Sequence, residues 1–571
     1  MAFALSMDQP ATHYYHVVFR VEGLKGDAQD FKLPAWTPGY YRIMDYAKNL
    51  ARFQAADGAG HTLAWQKTDK NTWHVNSHNT GVISVSYDVY AFNPFVAESF
   101  LDDTRGYITP ASMFVHVAGH IRHPVTLTIQ PYSGWSTVAT GLDSVSGQPN
   151  TFSAPDFDML YDCPILMGNQ EVRGFEVQGI PHQVVIENVA NIDHAKITAD
   201  LQKIVASGVK IIGEIPYQHY TFLAMGSGAG GIEHLTSAAM MFNGNSLGDP
   251  PGYSRWLSFV AHEYFHTYNV KRIRPIALGP FDYDKENYTH MLWVSEGFTV
   301  YYEDLILVRA GLMTRDQYFE RMQKNIANYE DSPGHLFQSA TQSSFDTWID
   351  GMSRGEHFAN TTISYYDKGA ALGLLLDLEI RNRTGNRKSL DDVMRALYQK
   401  YYKERKRGFT DEEFREECES AAGFSLPEIF EYAATTKEID YPKYFAYAGL
   451  GIDVNPAEQT GAYLGATAQF QDGALAIWSV EWDSPAQHAG LMAQDQILAL
   501  DGKRVSAKSL DEMLKTKKAG EQVRVLLSRR NSVREIEVAL GKKMECSFKI
   551  KPVDNPSPIQ AAILQEWLRA R

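Results

Sequence analysis

A change of hydrophobic period along the chain does most to limit its fold. Up to about Asn169, apolar residues alternate in short runs such as VISVSYDVYAF and PVTLTIQPY, broken by Gly, Asn, Asp and Pro. That is the period of strands with one buried face. From Ser254 to about Tyr444 the spacing becomes that of helices, as in SRWLSFVAHEYFHTYNV, YTHMLWVSEGFTVYYEDLILVRAG, DKGAALGLLLDLEIRNRTG and SLDDVMRALYQKYYKE. The last opens with Ser389 three residues before Asp392, a helix-capping pair. After about Gly449 the short alternating runs return. One core cannot serve both periods over 571 residues, so the chain is expected to be multidomain α+β.

The expected divisions are a β-rich, sandwich-like domain at 1–169, a middle domain at 170–448, a third domain at 449–545, and a tail at 546–571. The middle domain should be mixed to about residue 278 and helical beyond it. Its first part offers strands at HQVVIEN and YTFLAMG, a helix near HAKITADLQKIVASG, the glycine-rich turn GSGAGG and a strand at IEHLTSAAMMF. The tail ends in a candidate helix, PIQAAILQEWLRAR.

Composition removes several function classes. A net charge of -14 argues against a nucleic-acid partner, which needs a basic face. Cys163, Cys418 and Cys546 are too few and too far apart for a disulfide framework or a cysteine zinc ribbon, and read as buried or idle thiols. No run of about 18 apolar residues suits a membrane span. The opening MAFALSMDQPATHYY lacks the form of a secretory signal. A native Met1 would place the protein in the cytoplasm, and a removed signal in the periplasm or outside the cell.

The chemistry is carried by His262-Glu263-Tyr264-Phe265-His266, an HExxH pattern. On a helix, residues four apart share a face, so two imidazoles can meet one metal ion. Glu263 then flanks a water at that ion as a general base. A catalytic zinc needs a third protein ligand and an open position. Glu296, thirty residues after His266 on a second helical segment, is the candidate. Glu303 lies two turns beyond it on the same face and suits a carboxylate that orients a ligand imidazole, with Asp304 as its rival.

HEYFH followed by WVSEGFTVYYE resembles the gluzincin pattern of the aminopeptidase N and leukotriene hydrolase families. That resemblance implies a thermolysin-like core with Glu296 as third zinc ligand. Tyr366-Asp367-Lys368-Gly369 is similar to their YxKG motif, which implies that the Tyr366 hydroxyl stabilises the oxyanion. Gly230-Gly231-Ile232-Glu233-His234 is similar to their GGMEN motif, which implies substrate binding there, with Glu233 on the free amine. Ile232 and His234 depart from that motif, and His234 gains no role. Nearly all of residues 10–545, with PAWTPGYYRIMDYAKNL near the start, resembles the glycyl aminopeptidases. These join a β-rich domain, a gluzincin core and a PDZ domain. The resemblance implies one zinc per chain and a preference for small N-terminal residues, glycine or alanine.

SPAQHAGL (484–491) followed by DQILALDG (495–502) resembles PDZ domains, which add an extended peptide to a strand edge. The carboxylate-binding loop would be Tyr463-Leu464-Gly465-Ala466. The expected partners are therefore peptides with a free N-terminus at the metal and a peptide or protein at the PDZ domain. Two alternatives stay open: a PDZ-recruited zinc endopeptidase, and a peptide-binding scaffold with an inactive core.

Other patterns read as decoys. Gly244-Asn245-Ser246-Leu247-Gly248 matches GxSxG, but Asp249-Pro250-Pro251-Gly252 is expected to prevent the helix that a nucleophile elbow requires. His116, His120 and His123 fall in apparent β structure, where positions four apart lie about 13 Å apart. His74 and His78 lack a following Glu. The aromatic residues near the start, among them Tyr40 and Tyr41, read as sandwich core or as cleft lining beside Asp45.

Overall fold

The computed structural model describes residues 1–187, 193–226, 228, 230–350, 355–471 and 473–569. Asn188 of HQVVIEN and Ser227 and Ala229 of GSGAGG lie outside them.

The N-terminal domain is a sandwich. Its larger sheet has seven strands, with Tyr14–Glu22 and Val82–Tyr90 antiparallel near its middle. Along Tyr14–Glu22 every second side chain is buried, as the alternating sequence requires: Tyr15, Val17, Phe19 and Val21. A four-stranded sheet containing Ala28–Lys32 and Thr72–Asn76 supplies the opposing face. Phe19 meets Phe31 edge-on across the core, and Phe53 stacks on Trp73.

His116 is buried in the short strand His116–Val117, with Nδ1 2.9 Å from the Tyr161 hydroxyl. His120 and His123 leave that strand through a turn at Gly119, and no metal-ligand group among the described residues includes any of the three.

The middle domain begins with a five-stranded sheet in the order Glu171–Val177, Ile180–Ile186, Tyr220–Gly226, Ser237–Phe242, Gly231–Glu233. The helix His194–Ile212 makes the crossover between two parallel strands. IEHLTSAAMMF is not one strand. It turns at His234–Thr236, so Gly231–Glu233 runs antiparallel along the sheet edge beside Ser237–Phe242. Polar His234, Thr236 and Ser237 break the apolar run there.

Three helical segments also differ from expectation. The HEYFH helix runs Pro250–Phe265, starting earlier and ending earlier than its periodicity suggested. Asp249 caps it by accepting the Gly252 N–H. The two prolines occupy the first turn, where a missing N–H costs nothing. The sequence Asp249–Gly252 therefore starts a helix instead of preventing one. Gly244–Leu247 adds a separate helical turn; the side chains of Asn245 and Ser246 lie outside those described. The apolar run from Leu292 divides at Glu296 into Leu292–Ser295 and Gly297–Arg309. SLDDVMRALYQKYYKE forms Leu390–Leu397 and then a wider π-turned segment, Tyr398–Arg405. The Ser389 N–H and hydroxyl both donate to Asp392 at its start.

The third domain is a PDZ-type fold. Its sheet runs from the edge strand Ala466–Gln471 through Ala474–Val480, Gln496–Leu500 and Gln522–Arg529 to Ser532–Ala539, with its own core of Leu475, Ile477, Leu500, Val525 and Leu527. The strands Leu450–Ile452 and Ile550–Pro552 pair with each other, and the chain ends in the helix Pro558–Leu568. Leu450, Ile550, Ile563 and Trp567 belong to the core of the middle domain. Cys163, Cys418 and Cys546 are free thiols, and no helix among the described residues is long and apolar enough to cross a membrane.

Candidate metal and peptide site

Two elements bring the metal-ligand candidates together. His262 lies in the last turn of its helix and His266 is its C-cap, one turn further on. Glu296 sits at the break between two helices that pack across it. His262 Nε2 and His266 Nε2 are 3.0 Å apart, and Glu296 Oε2 is 3.6 and 3.2 Å from them.

The partners of the other ring nitrogens fix the tautomers. His262 Nδ1 is 2.7 Å from Glu303 Oε2, and His266 Nδ1 is 2.7 Å from the Asn269 carbonyl. A carbonyl only accepts, so His266 Nδ1 carries the proton and its Nε2 presents a lone pair. The Glu303 carboxylate does the same for His262. Two nitrogen lone pairs and a carboxylate oxygen thus converge on one point, with ligand atoms within 4.8 Å of one another. Its two imidazoles and one carboxylate suit zinc with an open position. Asp304, the rival of Glu303, instead accepts the Ser258 hydroxyl at 2.5 Å.

Glu263 is buried beside this point, and its Oε2 has no hydrogen-bond partner among the described residues. Burial pushes its pKa up to about 8; a divalent cation alongside works in the opposite direction. The edge strand Gly231–Glu233 crosses directly over this carboxylate. A Cβ at Gly231 would stand 2.4 Å from Glu263 Oε1, so a larger residue there would displace the Glu263 carboxylate. Gly230 precedes it at φ 107°, a left-handed conformation that also favours glycine.

The same strand places Glu233, a buried carboxylate with no hydrogen bond or ion pair among the described residues. It faces a cavity of about 570 Å³ between the N-terminal and middle domains. Gly230, Gly231 and Tyr366 line an adjoining cavity of about 430 Å³. Gly39 and Tyr41 line both. His234 points elsewhere, 3.3 Å from Asp162, which also accepts from Lys271 at 2.6 Å.

Tyr366 is in the first turn of the helix Tyr365–Arg383, capped by Ser364. Its ring lies 6.3 Å from that of His262. Burial and the Glu296 charge push its phenol pKa well above the ordinary value, so it remains a proton donor. Lys368 turns away, donating to the Thr435 carbonyl at 2.9 Å.

Sequence reasoning missed Asn269 and left Tyr41 between sandwich core and cleft lining. Asn269 gives its carbonyl to His266, while its side-chain amide spans to the Val294 and Ser295 carbonyls and Thr299 at 2.9–3.1 Å, locking the two ligand-bearing elements together. The next residue, Val270, adopts φ 129°, a strained value for a β-branched side chain. Tyr41 reaches in from the N-terminal domain, its hydroxyl donating to Glu296 Oε1 at 3.1 Å. The YY pair in PAWTPGYYRIMDY was the available signal, but sandwich core and cleft lining give the same pattern.

The family model of the M61 peptidase N-terminal domain matches residues 2–169, that of the M61 glycyl aminopeptidases residues 255–372, and a PDZ model residues 449–540. Among solved structures, the crystal structure of an aminopeptidase N family protein from Idiomarina loihiensis is similar over 99% of this chain and 99% of its own, with 28% identity and a TM-score of 0.92. An M1 zinc metallopeptidase from Deinococcus radiodurans is similar over 77% of this chain and 94% of its own, with 12% identity and a TM-score of 0.49. Among curated proteins, a probable CtpA-like serine protease of Staphylococcus haemolyticus is 35% identical over 94 residues, 16% of this chain and 19% of that protein. The chain thus spans about a fifth of that curated relative.

Proposed function

This chain belongs to the M61 glycyl aminopeptidase family, and on that premise we propose that it is a zinc aminopeptidase that removes small residues from the free N-termini of peptides. The observation that carries the reading is the convergence of His262 Nε2, His266 Nε2 and Glu296 Oε2 beside the unpaired carboxylate of Glu263. Zinc held there by His262, His266 and Glu296 would polarise the scissile carbonyl and acidify a water.

The remaining steps belong to side chains of this chain. Glu263 takes the proton of the attacking water and returns it to the leaving amine. Tyr366 donates its phenol proton as a hydrogen bond to the oxygen that becomes negative. Glu303 and the Asn269 carbonyl keep both imidazoles in the ligating tautomer. Gly230 and Gly231 let the edge strand lie close to the peptide main chain. Glu233 pairs with the substrate ammonium; its buried, unpartnered carboxylate supports that role over an endopeptidase cleft, which has no use for one. Gly39 packs against this carboxylate, and the preference for glycine or alanine at the N-terminus rests on the family resemblance. At the PDZ domain, Tyr463–Ala466 and the edge strand Ala466–Gln471 would receive an extended peptide.

Replacing Glu263 with Gln tests the mechanism. Turnover of Ala- and Gly-anilides should fall at least about 100-fold while bound zinc stays at one per chain. An active Glu263→Gln enzyme would reject Glu263 as the base. Cleavage of N-blocked peptides in preference to free ones would instead favour an endopeptidase.

A further inference from the structure

We propose that Tyr41 of the N-terminal domain is a positioning residue that holds Glu296 to ligation through one oxygen, so that the metal site is completed across the domain boundary. This rests on the metal reading of His262, His266 and Glu296 given above.

The two Glu296 oxygens have separate surroundings. Oε2 faces both imidazoles, at 3.6 and 3.2 Å. Oε1 accepts the Tyr41 hydroxyl at 3.1 Å, and no other described donor reaches it. A carboxylate free to rotate can bring both oxygens to a metal, and the second would fill the position that catalysis must keep open. A hydrogen bond to Oε1 fixes the carboxylate plane and reduces the charge that oxygen offers. Glu296 needs such a restraint from outside, because it sits at a break between helices.

Tyr41 is itself rigidly held. Its ring packs edge-on against Trp348 at 6.1 Å, and Trp348 packs against Trp36 at 5.0 Å. Trp36 donates its indole N–H to the Asp282 carbonyl at 2.8 Å, and the Ala35 N–H donates to the Tyr283 carbonyl at 2.7 Å. Both acceptors belong to the middle domain, so the segment carrying Tyr41 is tied to it at Trp36 and at the residue before it. Two residues before Tyr41, Gly39 adopts φ 90° and lies against Glu233; a Cβ there would stand 2.9 and 3.1 Å from the two carboxylate oxygens. One loop of the N-terminal domain thus touches both the proposed ammonium anchor and the proposed third ligand.

The test is Tyr41→Phe in the full chain, which keeps the ring and its packing and removes only the donor. Zinc affinity is read by chelator competition, without turnover. The dissociation constant should rise about tenfold or more, in the range found when partners of ligands are removed. The metal-free melting temperature should match wild type. Zinc absorption spectroscopy should gain one oxygen neighbour in the variant, and kcat for an alanyl anilide should fall with KM little changed. Affinities equal within twofold, or a loss of affinity matched by an equal loss of metal-free stability, would overturn the proposal. Failure of the aminopeptidase reading shows separately, as zinc-loaded wild type that hydrolyses no anilide.

Discussion

Asp162 is a carboxylate buried between domains, next to Lys271 and His234. Burial alone would raise its pKa, but the Lys271 ammonium and the His234 bond outweigh that and hold it at about 2. A carboxyl depressed in the folded state stabilises the fold above its unfolded pKa of about 3.9, and loses that contribution as the pH falls through the folded value. Removing the charge should expose the difference. Asp162→Asn leaves Lys271 buried and unpaired, which should cost about 3–5 kcal/mol near neutrality. Urea midpoints of wild type and variant should approach each other between about pH 4 and pH 2. A gap that stays constant over that range would show that the pair stabilises nothing through its charge. Neither partner was legible in the sequence, because Asp162 and Lys271 are joined only by the packing of two domains. Glu303 was legible, since helical period alone places it two turns beyond Glu296 on the same face. The roles of Asn269 and Gly231 were not. One acts through its main-chain carbonyl, the other through the side chain it lacks.

At the level of elements, the site depends on how closely two helices cross. Gly297, directly after Glu296, faces Gly369, three residues after Tyr366. A Cβ at Gly297 would stand 2.4 Å from the Gly369 Cα, and one at Gly369 would stand 2.3 Å from the Trp293 carbonyl oxygen. These neighbours are backbone, so no rotamer change relieves the contact. Gly369→Ala should therefore push apart the elements that carry Glu296 and Tyr366, costing about 1–3 kcal/mol or more. The expected result is a melting temperature lower by several degrees and a kcat/KM reduced at least about tenfold. A variant with wild-type values for both would show that the crossing has slack. The sequence displayed both glycines, inside EGF and YDKG, and the helical periods around them, but periodicity carries no information on which faces meet. Element boundaries were less legible for a related reason. Pro250 looks like a helix breaker until Asp249 is seen to cap the first turn, and the apolar run through Glu296 conceals a break.

On the scale of the molecule, the order β-rich, mixed, helical, β-rich was readable because each part keeps one hydrophobic period. How the parts rejoin was not. The last helix, Pro558–Leu568, returns past the PDZ domain to the back of the catalytic helices. Trp567 is fully buried there and donates its indole N–H to the Tyr301 hydroxyl at 2.8 Å, which in turn donates to Asp377 at 2.6 Å. Its carbonyl accepts from Arg309, the last residue of the helix that follows Glu296. A short amphipathic end segment gives no sign in sequence of which core it joins, since its few apolar residues fit any. Trp567→Ala would remove a large side chain from a filled core and leave Tyr301 without its donor. The expected cost is about 3–5 kcal/mol, which lowers the melting temperature by about 10 °C. The PDZ core is a separate cluster, so its amide protons should exchange as slowly as in wild type while those of Gly297–Arg309 exchange faster. Zinc affinity and kcat at 25 °C should hold, because Trp567 touches none of the ligand-bearing side chains. A shift below about 2 °C would mean the tail is an appendage; faster exchange in both cores would mean the two domains unfold as one.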